Sequence, residues 1–346
     1  MKFRKLSLLP LIMLGSITLS SCYVDLGFIR FGKKVDENTF ISKTEGYYKG
    51  YDLELENADL ETELQEMCFD KHKNYVLYSQ YNTYCMRVTG KKGRNSIEAI
   101  ADGSTINQYF YTGKEAGGYG TREHVWPCAN SAGLWSHDGA SNSSVHNVDY
   151  TAYVGGGSDL FHVRTCNTTI NTMRGNSKFV DFDDPEFEGI RSTVVEKGEK
   201  NGKYNIKLQG LNADNEYANK CEPADQMKGD VARILVYVWI HYGQHGVNPE
   251  GEVVNSGHIY TLQNMIGSLS LQNIMGYDSL PRCCQKLCEW NKLDPPSDVE
   301  KLRNNTVHKI QGNRNMFVDF PELMDQLFAD YLDSLEDWLM ASTEAF

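Results

Sequence analysis

Apolar residues recur along the chain at intervals that predict two kinds of helix. Leu60, Leu64 and Met67 are three or four residues apart, which predicts a helix with one apolar face. Residues 225–243, DQMKGDVARILVYVWIHYG, are apolar on most sides of a helix, and this pattern predicts a buried helix that ends at Gly243. The chain is therefore expected to bury a complete helix in its core.

Shorter apolar runs that are bounded by glycine or polar residues are typical of strands. INQYFYTG, residues 106–113, is rich in aromatic residues and ends in glycine, and DLFHVRT, residues 159–165, is a second such run. NTTINTMRGN follows at 167–176 and predicts a short helix that is capped by one of its first two residues and ended by Gly175.

The remaining segments complete one mixed α+β domain. Residues 128–158, rich in serine, asparagine and glycine, predict a long loop, and the polar residues 181–220 predict a surface insertion. Ser297 and Glu300 form a capping box that begins a helix, and residues 317–346 predict an acidic C-terminal helix. This mixture of short strands and helices predicts a single α+β domain of about 300 residues.

The first residues have the parts of a bacterial export signal. A basic start (Met1–Lys5), an apolar stretch and small residues before Cys22 predict a signal peptide over 1–21. The ending Leu-Ser-Ser-Cys resembles a bacterial lipobox and predicts a lipidated Cys22, with a plain secretory signal as the alternative. Residues 22–45 predict a tether to a domain over 46–346. We expect an extracytoplasmic protein that is attached to a bacterial membrane through this lipid alone.

The cysteine content is that of an exported protein. Besides Cys22 there are eight cysteines, and an even number in an oxidising compartment favours disulfides whose pairing cannot be deduced from sequence. A zinc site in the cluster at 283–288 is disfavoured, because no fourth ligand lies at finger-like spacing. We expect at least three disulfide-bonded pairs among Cys68, Cys85, Cys128, Cys166, Cys221, Cys283, Cys284 and Cys288.

The net charge of −12 counts against a nucleic-acid partner, because proteins that bind phosphate are usually basic on the contact face. Removing the three positive charges of the signal peptide gives −12 − 3 = −15. The acids are segregated, since residues 317–346 hold eight Asp or Glu and no Lys or Arg. A nucleic-acid cleft would have to be locally positive. At least two of four arginines would then line it: Arg174, Arg233, Arg303 and Arg314.

Glu123 and His124 form the candidate catalytic pair. The sequence contains no HExxH, GxSxG or GxxxxGK[ST] motif, and an oxidising compartment disfavours Cys128 as a thiol nucleophile. Two antiparallel strands and a helix could bring Glu123, His124 and Asn171 around one point. Because neighbours on a strand point to opposite faces, we expect the strand to end or bulge at this pair, with Pro127 just beyond.

Around these residues the chain resembles the bacterial endonuclease I family of exported, non-specific nucleases, which have a His-Me finger (ββα-metal) core. Six sequence blocks occur in the family's order and span roughly residues 46–330. The blocks are REHVWP at 122–127, DLFH at 159–162, IN and RGN at 170–176, KGDVAR at 228–233, EWNKLDPPS at 289–297, and RNN with IQGNRNMFVDFPEL at 303–323.

The resemblance implies a role for each residue of the candidate site. His124 would be the general base that takes a proton from the attacking water. Glu123 and Asn171 would hold one divalent cation, Mg²⁺ or another such as Ca²⁺ or Mn²⁺. The cation would stabilise charge on the phosphate and on the leaving 3′ oxygen, so that the products carry 5′-phosphate ends.

The contacts to phosphate are the least defined part of this scheme, because residues 125–163 contain no Arg or Lys. Arg174 and Arg233 are the candidates to contact the phosphate and stabilise transition-state charge, with Arg164 as a further candidate. Four residues would support the site by orienting or fixing neighbouring segments: His162, Asn176, Gln311 and Asn313.

The expected function is metal-dependent cleavage of DNA, with RNA as a second substrate class, by a monomer outside the cytoplasm. A different class of function, a non-catalytic surface lipoprotein that uses the same fold for binding, is the alternative. The presence of Glu123, His124 and Asn171 together favours the enzyme.

Overall fold

The fold mixes helices with short strands, as the sequence predicts, and a computed structural model shows their arrangement. The described residues are 41–80, 86–87, 95–96, 108–109, 114–115, 120–127, 154–187, 192–194, 206–209, 220–255 and 257–335. The helices are α1 (Asn57–Lys71), α2 (Thr168–Arg174), α3 (Lys228–Tyr242), α4 (Leu271–Ile274), α5 (Leu280–Leu293), α6 (Asp298–Gln311), α7 (Met316–Asp319) and α8 (Leu323–Leu327). The strands are β1 (Met86–Arg87), β2 (Asn95–Ser96), β3 (Gln108–Tyr109), β4 (Lys114–Glu115), β5 (Gly120–His124), β6 (Val163–Asn167), β7 (Lys178–Phe179), β8 (Ser192–Val194), β9 (Lys207–Gln209), β10 (Lys220–Glu222), β11 (Glu252–Asn255) and β12 (His258–Thr261).

Helix α3 organises the core. Every residue of α3 is buried, which confirms the buried helix predicted for this segment, and α1 and α5 pack directly against it. The helix stops at Gly243, whose amide donates to the Trp239 carbonyl. A β-carbon at Gly243 would lie 2.3 Å from that same carbonyl oxygen. Only glycine therefore allows the chain to turn away so closely beneath the last turn.

Strands β5 and β6 form an antiparallel pair, and α2 follows β6 without a connecting loop. The pairing is regular through His124, which lies opposite Val163, so β5 ends at the Glu-His pair as expected. β6 begins at Val163 and not at residue 159, because the amides of residues 162 and 163 donate to the Asp159 carbonyl and form a turn. α2 ends before Gly175, whose φ of 52° is left-handed.

A four-stranded sheet in the order β7-β10-β9-β8 lies in the segment that was expected to be a surface insertion. β7 runs parallel to β10, and the other pairs are antiparallel. Ile206 and Cys221 are fully buried, and Phe187 is nearly so. The polar composition of 181–220 conceals these inward positions, because a short strand needs only one or two apolar residues on its buried face. Phe187 and Ile206 of this segment thus pack into the core, whereas Asp183, Pro185 and Glu186 are exposed.

The C-terminal segment is also less exposed than its acidity suggests. It begins with the short helices α7 and α8, and the apolar side chains of both are buried. Asp330 and Asp333 are exposed as predicted, whereas Glu336 and Asp337 lie outside the described residues. The segment packs an apolar face against the core and turns part of its acidic face to solvent.

The capping box and the C-terminal end of α6 follow the sequence pattern. The Ser297 hydroxyl accepts a hydrogen bond from the Glu300 amide at 3.2 Å, which confirms the predicted N-cap. The helix ends at Gly312, whose φ of 92° is left-handed.

Several predictions for the first 153 residues concern segments outside the described residues. They are the signal peptide over 1–21, the lipidated Cys22, most of the tether at 22–45, and residues 128–153 of the long loop. None of the helices in the described residues combines the length and the apolar character that a membrane crossing requires.

The prediction of at least three disulfides is wrong. Six of the eight cysteines lie in the described residues, and these six are buried and outside any disulfide bond: Cys68, Cys166, Cys221, Cys283, Cys284 and Cys288. They fill the core as small apolar side chains, and burial raises the pKa of Cys221 to about 11 and that of Cys283 to about 12. Cys85 and Cys128 lie outside the described residues, so at most one pair could form between them.

We therefore expect at least six reactive thiols once the chain is unfolded without reductant. In the native protein the six buried thiols should be protected, because burial both blocks access and disfavours the reactive thiolate. Titration with a chromogenic disulfide reagent, before and after adding guanidinium chloride, measures both states. A count below six in the unfolded protein would show that cysteines of the core are paired after all.

Candidate active site

Glu123 and His124 are neighbours at the end of β5 and point to opposite sides of the strand pair. Alternation along the strand places Arg122 and His124 on one side, where both contact the ring of Tyr78. Glu123 lies on the other side, where it meets Arg174 of α2. The end of the strand thus presents an imidazole to one side and a carboxylate to the other, so these two side chains do not converge on one point as expected.

His124 is held by a main-chain carbonyl and by an aromatic ring. Its Nε2 lies 2.8 Å from the Gly157 carbonyl oxygen, and its ring stacks on Tyr78 with centroids 5.5 Å apart. A carbonyl only accepts hydrogen bonds, so Nε2 carries the proton. Burial, reinforced by the nearby His162, lowers the pKa of His124 to about 3. The ring is therefore neutral at physiological pH, with its lone pair on Nδ1.

His162 fixes the same loop with both of its ring nitrogens. Nδ1 donates to the Gly156 carbonyl at 2.7 Å, and Nε2 accepts from the Trp126 amide at 2.9 Å. The ring is fully buried, and burial lowers its pKa to about 4, so this neutral tautomer is retained. The structure thus places His162 between the turn before β6 and the residues after β5, with its ring 5.5 Å from that of His124.

Arg174 lies at the site but does not face an open cleft. Its guanidinium is 1% exposed, and Nη1 lies 3.2 Å from Glu123 Oε1. The same group donates to the carbonyl oxygens of His124, at 3.2 Å, and Val125, at 2.8 Å. A buried carboxylate needs such a countercharge. In this arrangement Arg174 holds Glu123 and the end of the strand.

Asn171 is fixed against the strand from α2. Its side-chain nitrogen donates to the carbonyl oxygen of Arg122 at 3.0 Å, beside Glu123 in the chain. With the nitrogen used in this way, the amide oxygen is the atom that can contact a cation. α2 therefore brings Asn171 close to Glu123, whereas Asn176 lies exposed beyond the end of the helix.

Arg233, the second candidate for a phosphate contact, is used in an ion pair inside the fold. Its side chain is fully buried and forms a two-pronged ion pair with Glu300, with Nε–Oε1 and Nη2–Oε2 distances of 2.7 and 2.6 Å. The third candidate, Arg164, pairs with Asp230 at 3.4 Å in the same region. Arg233 thus joins α3 to α6, and Arg164 joins β6 to α3.

The other two arginines predicted to line a cleft are also used inside the fold. Arg303 is 5% exposed and donates to the Val163 carbonyl at 3.2 Å, so it supports the start of β6. Arg314 pairs with Asp319. None of the four arginines of that prediction is more than 5% exposed, so the positive cleft they were expected to form is not built by them.

Gln311 and Asn313 fix the turn that precedes β6. Gln311 accepts from the Leu160 amide at 2.7 Å and donates to Asp159 Oδ1 at 3.2 Å. Asn313 donates to the Tyr237 hydroxyl at 2.6 Å. Both amides are fully buried, so the structure places them behind the site, where they hold the turn and do not contact solvent.

His72, Asp159 and His241 form a buried group of metal-ligating side chains away from β5. The two histidines bond to each other through ring nitrogens 2.8 Å apart. A carboxylate has about four lone-pair sites, and those of Asp159 are already used. Its donors are the Phe161 amide, the Gln311 side chain and the hydroxyls of Tyr237 and Tyr242. The group is therefore a polar network of the core.

A second such group, Asp181, Asp183 and Glu222, lies in the four-stranded sheet region. Lys228 pairs with two of its carboxylates, with its Nζ 2.8 Å from Glu222 and 3.7 Å from Asp181.

Sequence reasoning missed Tyr78, Arg122 and Gly157 as neighbours of His124. No local pattern marks them, because Tyr78 is a single aromatic residue in a one-turn 3-10 helix far from β5 in the chain. Gly157 contributes only a main-chain oxygen, which any residue would supply.

Comparison with known proteins identifies relatives of this chain by sequence. A sequence model described as Endonuclease I matches residues 34–322. The extracellular ribonuclease of Bacillus subtilis (strain 168) is 30% identical over 210 residues, which are 60% of this chain and 53% of that protein. The extracellular ribonuclease of Bacillus amyloliquefaciens is 29% identical over the same shares. The chain spans about half the length of the curated relatives it matches.

Proposed function

Because the chain belongs to the endonuclease I family, we propose that it is a metal-dependent, largely non-specific endonuclease that acts outside the cytoplasm. The observation that carries the proposal is the imidazole of His124, whose Nε2–H is bound to the Gly157 carbonyl and whose lone pair is therefore on Nδ1. A general base takes the proton of water through such a lone pair. In this proposal β5, β6 and α2 are the ββα core of the His-Me finger nucleases.

In the proposed reaction, a water oxygen forms a bond to phosphorus while its proton passes to Nδ1 of His124. The bond from phosphorus to the 3′ oxygen breaks, and that oxygen takes a proton from solvent. One product then carries a 5′-phosphate and the other a 3′-hydroxyl. The Nε2–H bond to the Gly157 carbonyl is unchanged throughout, so the ring need not turn as it gains charge. The anionic phosphate stabilises the imidazolium that forms.

Glu123 and Asn171 would hold the divalent cation that nucleases of this family typically need. These two residues fit a divalent cation, because a buried carboxylate and an amide oxygen are hard ligands. The amide nitrogen of Asn171 already donates to the Arg122 carbonyl, which leaves the amide oxygen for the cation. A set of so few protein ligands suits Mg²⁺, which retains several waters, and would also take Ca²⁺ or Mn²⁺. When bound, the cation would stabilise negative charge on the phosphate and the leaving oxygen.

We propose that both DNA and RNA are substrates. The two curated relatives are named extracellular ribonucleases, which supports RNA beside DNA.

The proposal also includes a monomer that is attached to the bacterial envelope through lipid at Cys22. A non-catalytic surface lipoprotein is the second candidate, and the net charge of −12 is the observation that favours it.

Removal of divalent metal should abolish cleavage of both substrates. Purified mature protein is incubated with supercoiled plasmid or with single-stranded RNA in Mg²⁺, in EDTA, and in EDTA followed by excess Mg²⁺. We expect nicking and degradation in the first and third conditions, because the cation supplies charge stabilisation that no buried arginine of this site replaces. Intact plasmid and RNA in all three conditions, with binding detected, would instead support the lipoprotein.

A further inference from the structure

Phosphodiester hydrolysis places growing negative charge on the non-bridging oxygens of the phosphate, and positive groups aimed at this charge accelerate the reaction. The arginines that the sequence offers for this task are already used. Arg174 pairs with Glu123, Arg233 with Glu300, and Arg164 with Asp230, and each guanidinium is almost fully buried. The positive group that stabilises the phosphate charge beside His124 must therefore be a different residue.

Arg122 lies in the required place. It precedes His124 by two positions in β5, so both side chains leave the same side of the strand, about 7 Å apart along it. Both also contact the Tyr78 ring: the guanidinium carbon lies 4.0 Å from the ring centroid, and the imidazole centroid 5.5 Å from it. A single phosphate group could contact both side chains across this distance.

Arg122 also keeps its charge available. It is half-buried, and no carboxylate of the described residues pairs with it; its hydrogen bond is from Nη1 to the Tyr78 carbonyl at 3.1 Å. The guanidinium has further N–H donors in a planar fork that matches the oxygens of a phosphate. Tyr78 restricts this fork by stacking and by accepting one bond. The group is thus positioned in advance while retaining donors for a ligand.

We propose that Arg122 is a catalytic residue that binds the non-bridging oxygens of the scissile phosphate and stabilises their charge in the transition state. This inference rests on the proposed nuclease function. In this proposal Arg122 contacts the phosphate on the side of β5 that also carries His124.

The test is the cleavage kinetics of Arg122→Gln and Arg122→Lys in Mg²⁺. Loss of one preorganised donor typically costs about 10²–10³-fold in kcat, and we expect this for Arg122→Gln with KM changed by less than about fivefold. Arg122→Lys should recover only part of the rate, because an ammonium lacks the planar fork. Added guanidinium ion at millimolar concentration should partly rescue Arg122→Gln. A merely structural arginine would not respond to it.

Lys301→Gln is the matched control, because it removes one positive charge from an exposed position of α6. It should retain the wild-type kcat. Wild-type rates for both Arg122 variants, with the wild-type protein active, would overturn the role of Arg122 and leave the nuclease intact. An inactive wild-type protein would overturn both proposals. Arg122→Lys keeps the charge and the contact with Tyr78, so it reports on catalysis even if Arg122→Gln fails to fold.

Discussion

Replacing His124 by alanine should lower the rate of plasmid cleavage by about 10²–10⁴-fold, the contribution of a positioned general base. The variant removes the Nδ1 lone pair, whereas the oxygen ligands of Glu123 and Asn171 stay in place. Metal titration monitored by unfolding temperature should therefore match the wild-type protein. Single-turnover rates in saturating Mg²⁺ measure the loss without interference from product release.

His258→Ala is the control for this experiment, because His258 is an exposed histidine at the end of the β11–β12 hairpin. It should cleave at the wild-type rate. A near-normal rate for His124→Ala would locate the base elsewhere in the protein. A loss of rate that added imidazole restores would support the assignment.

Replacing Arg233 by methionine should lower the free energy of unfolding by about 3–5 kcal/mol, the usual cost of breaking a buried ion pair. The penalty arises because Glu300 would remain charged and buried without its partner. Denaturant titration followed by circular dichroism measures the change. Cleavage by the fraction that remains folded should be unaffected, since the Arg233 side chain is fully buried and paired with Glu300.

The double variant Arg233→Met/Glu300→Leu is the matched control. Apolar replacement of both partners of a buried ion pair is often neutral or stabilising, so this variant should recover most of the lost free energy. A single variant of normal stability and weakened nucleic-acid binding would instead support the phosphate contact that the sequence predicts for Arg233.

The parts of the fold that local pattern controls could be predicted from the sequence. The apolar run over 225–243 predicted α3 nearly to the residue, since a helix without a polar face must be buried. Ser297 and Glu300 predicted the start of α6, because a capping box is complete within four residues. The order of strand, strand and helix around Glu123 and Asn171 was likewise readable from short runs and a glycine stop.

The partners of charged and sulfur-containing side chains could not be predicted in this way. Arg174 meets Glu123 across 51 residues, and Arg233 meets Glu300 across 67, so an arginine in a motif does not reveal whether it faces phosphate or an internal acid. The cysteine count misled for a similar reason. The sequence alone does not distinguish a cysteine that packs in the core as a thiol from one that forms a disulfide bond.

The turn at 156–157 has a consequence for the gene that encodes this protein. Two consecutive main-chain oxygens orient His162 and His124, and codon changes at 156 or 157 alter a side chain but leave a carbonyl in the chain. A library of single substitutions would therefore not detect the two carbonyl oxygens that fix the tautomers of His162 and His124. Deletion or insertion of one codon in this turn would displace the two acceptors together, so a scan of reading-frame-preserving indels is the genetic experiment that would reveal them.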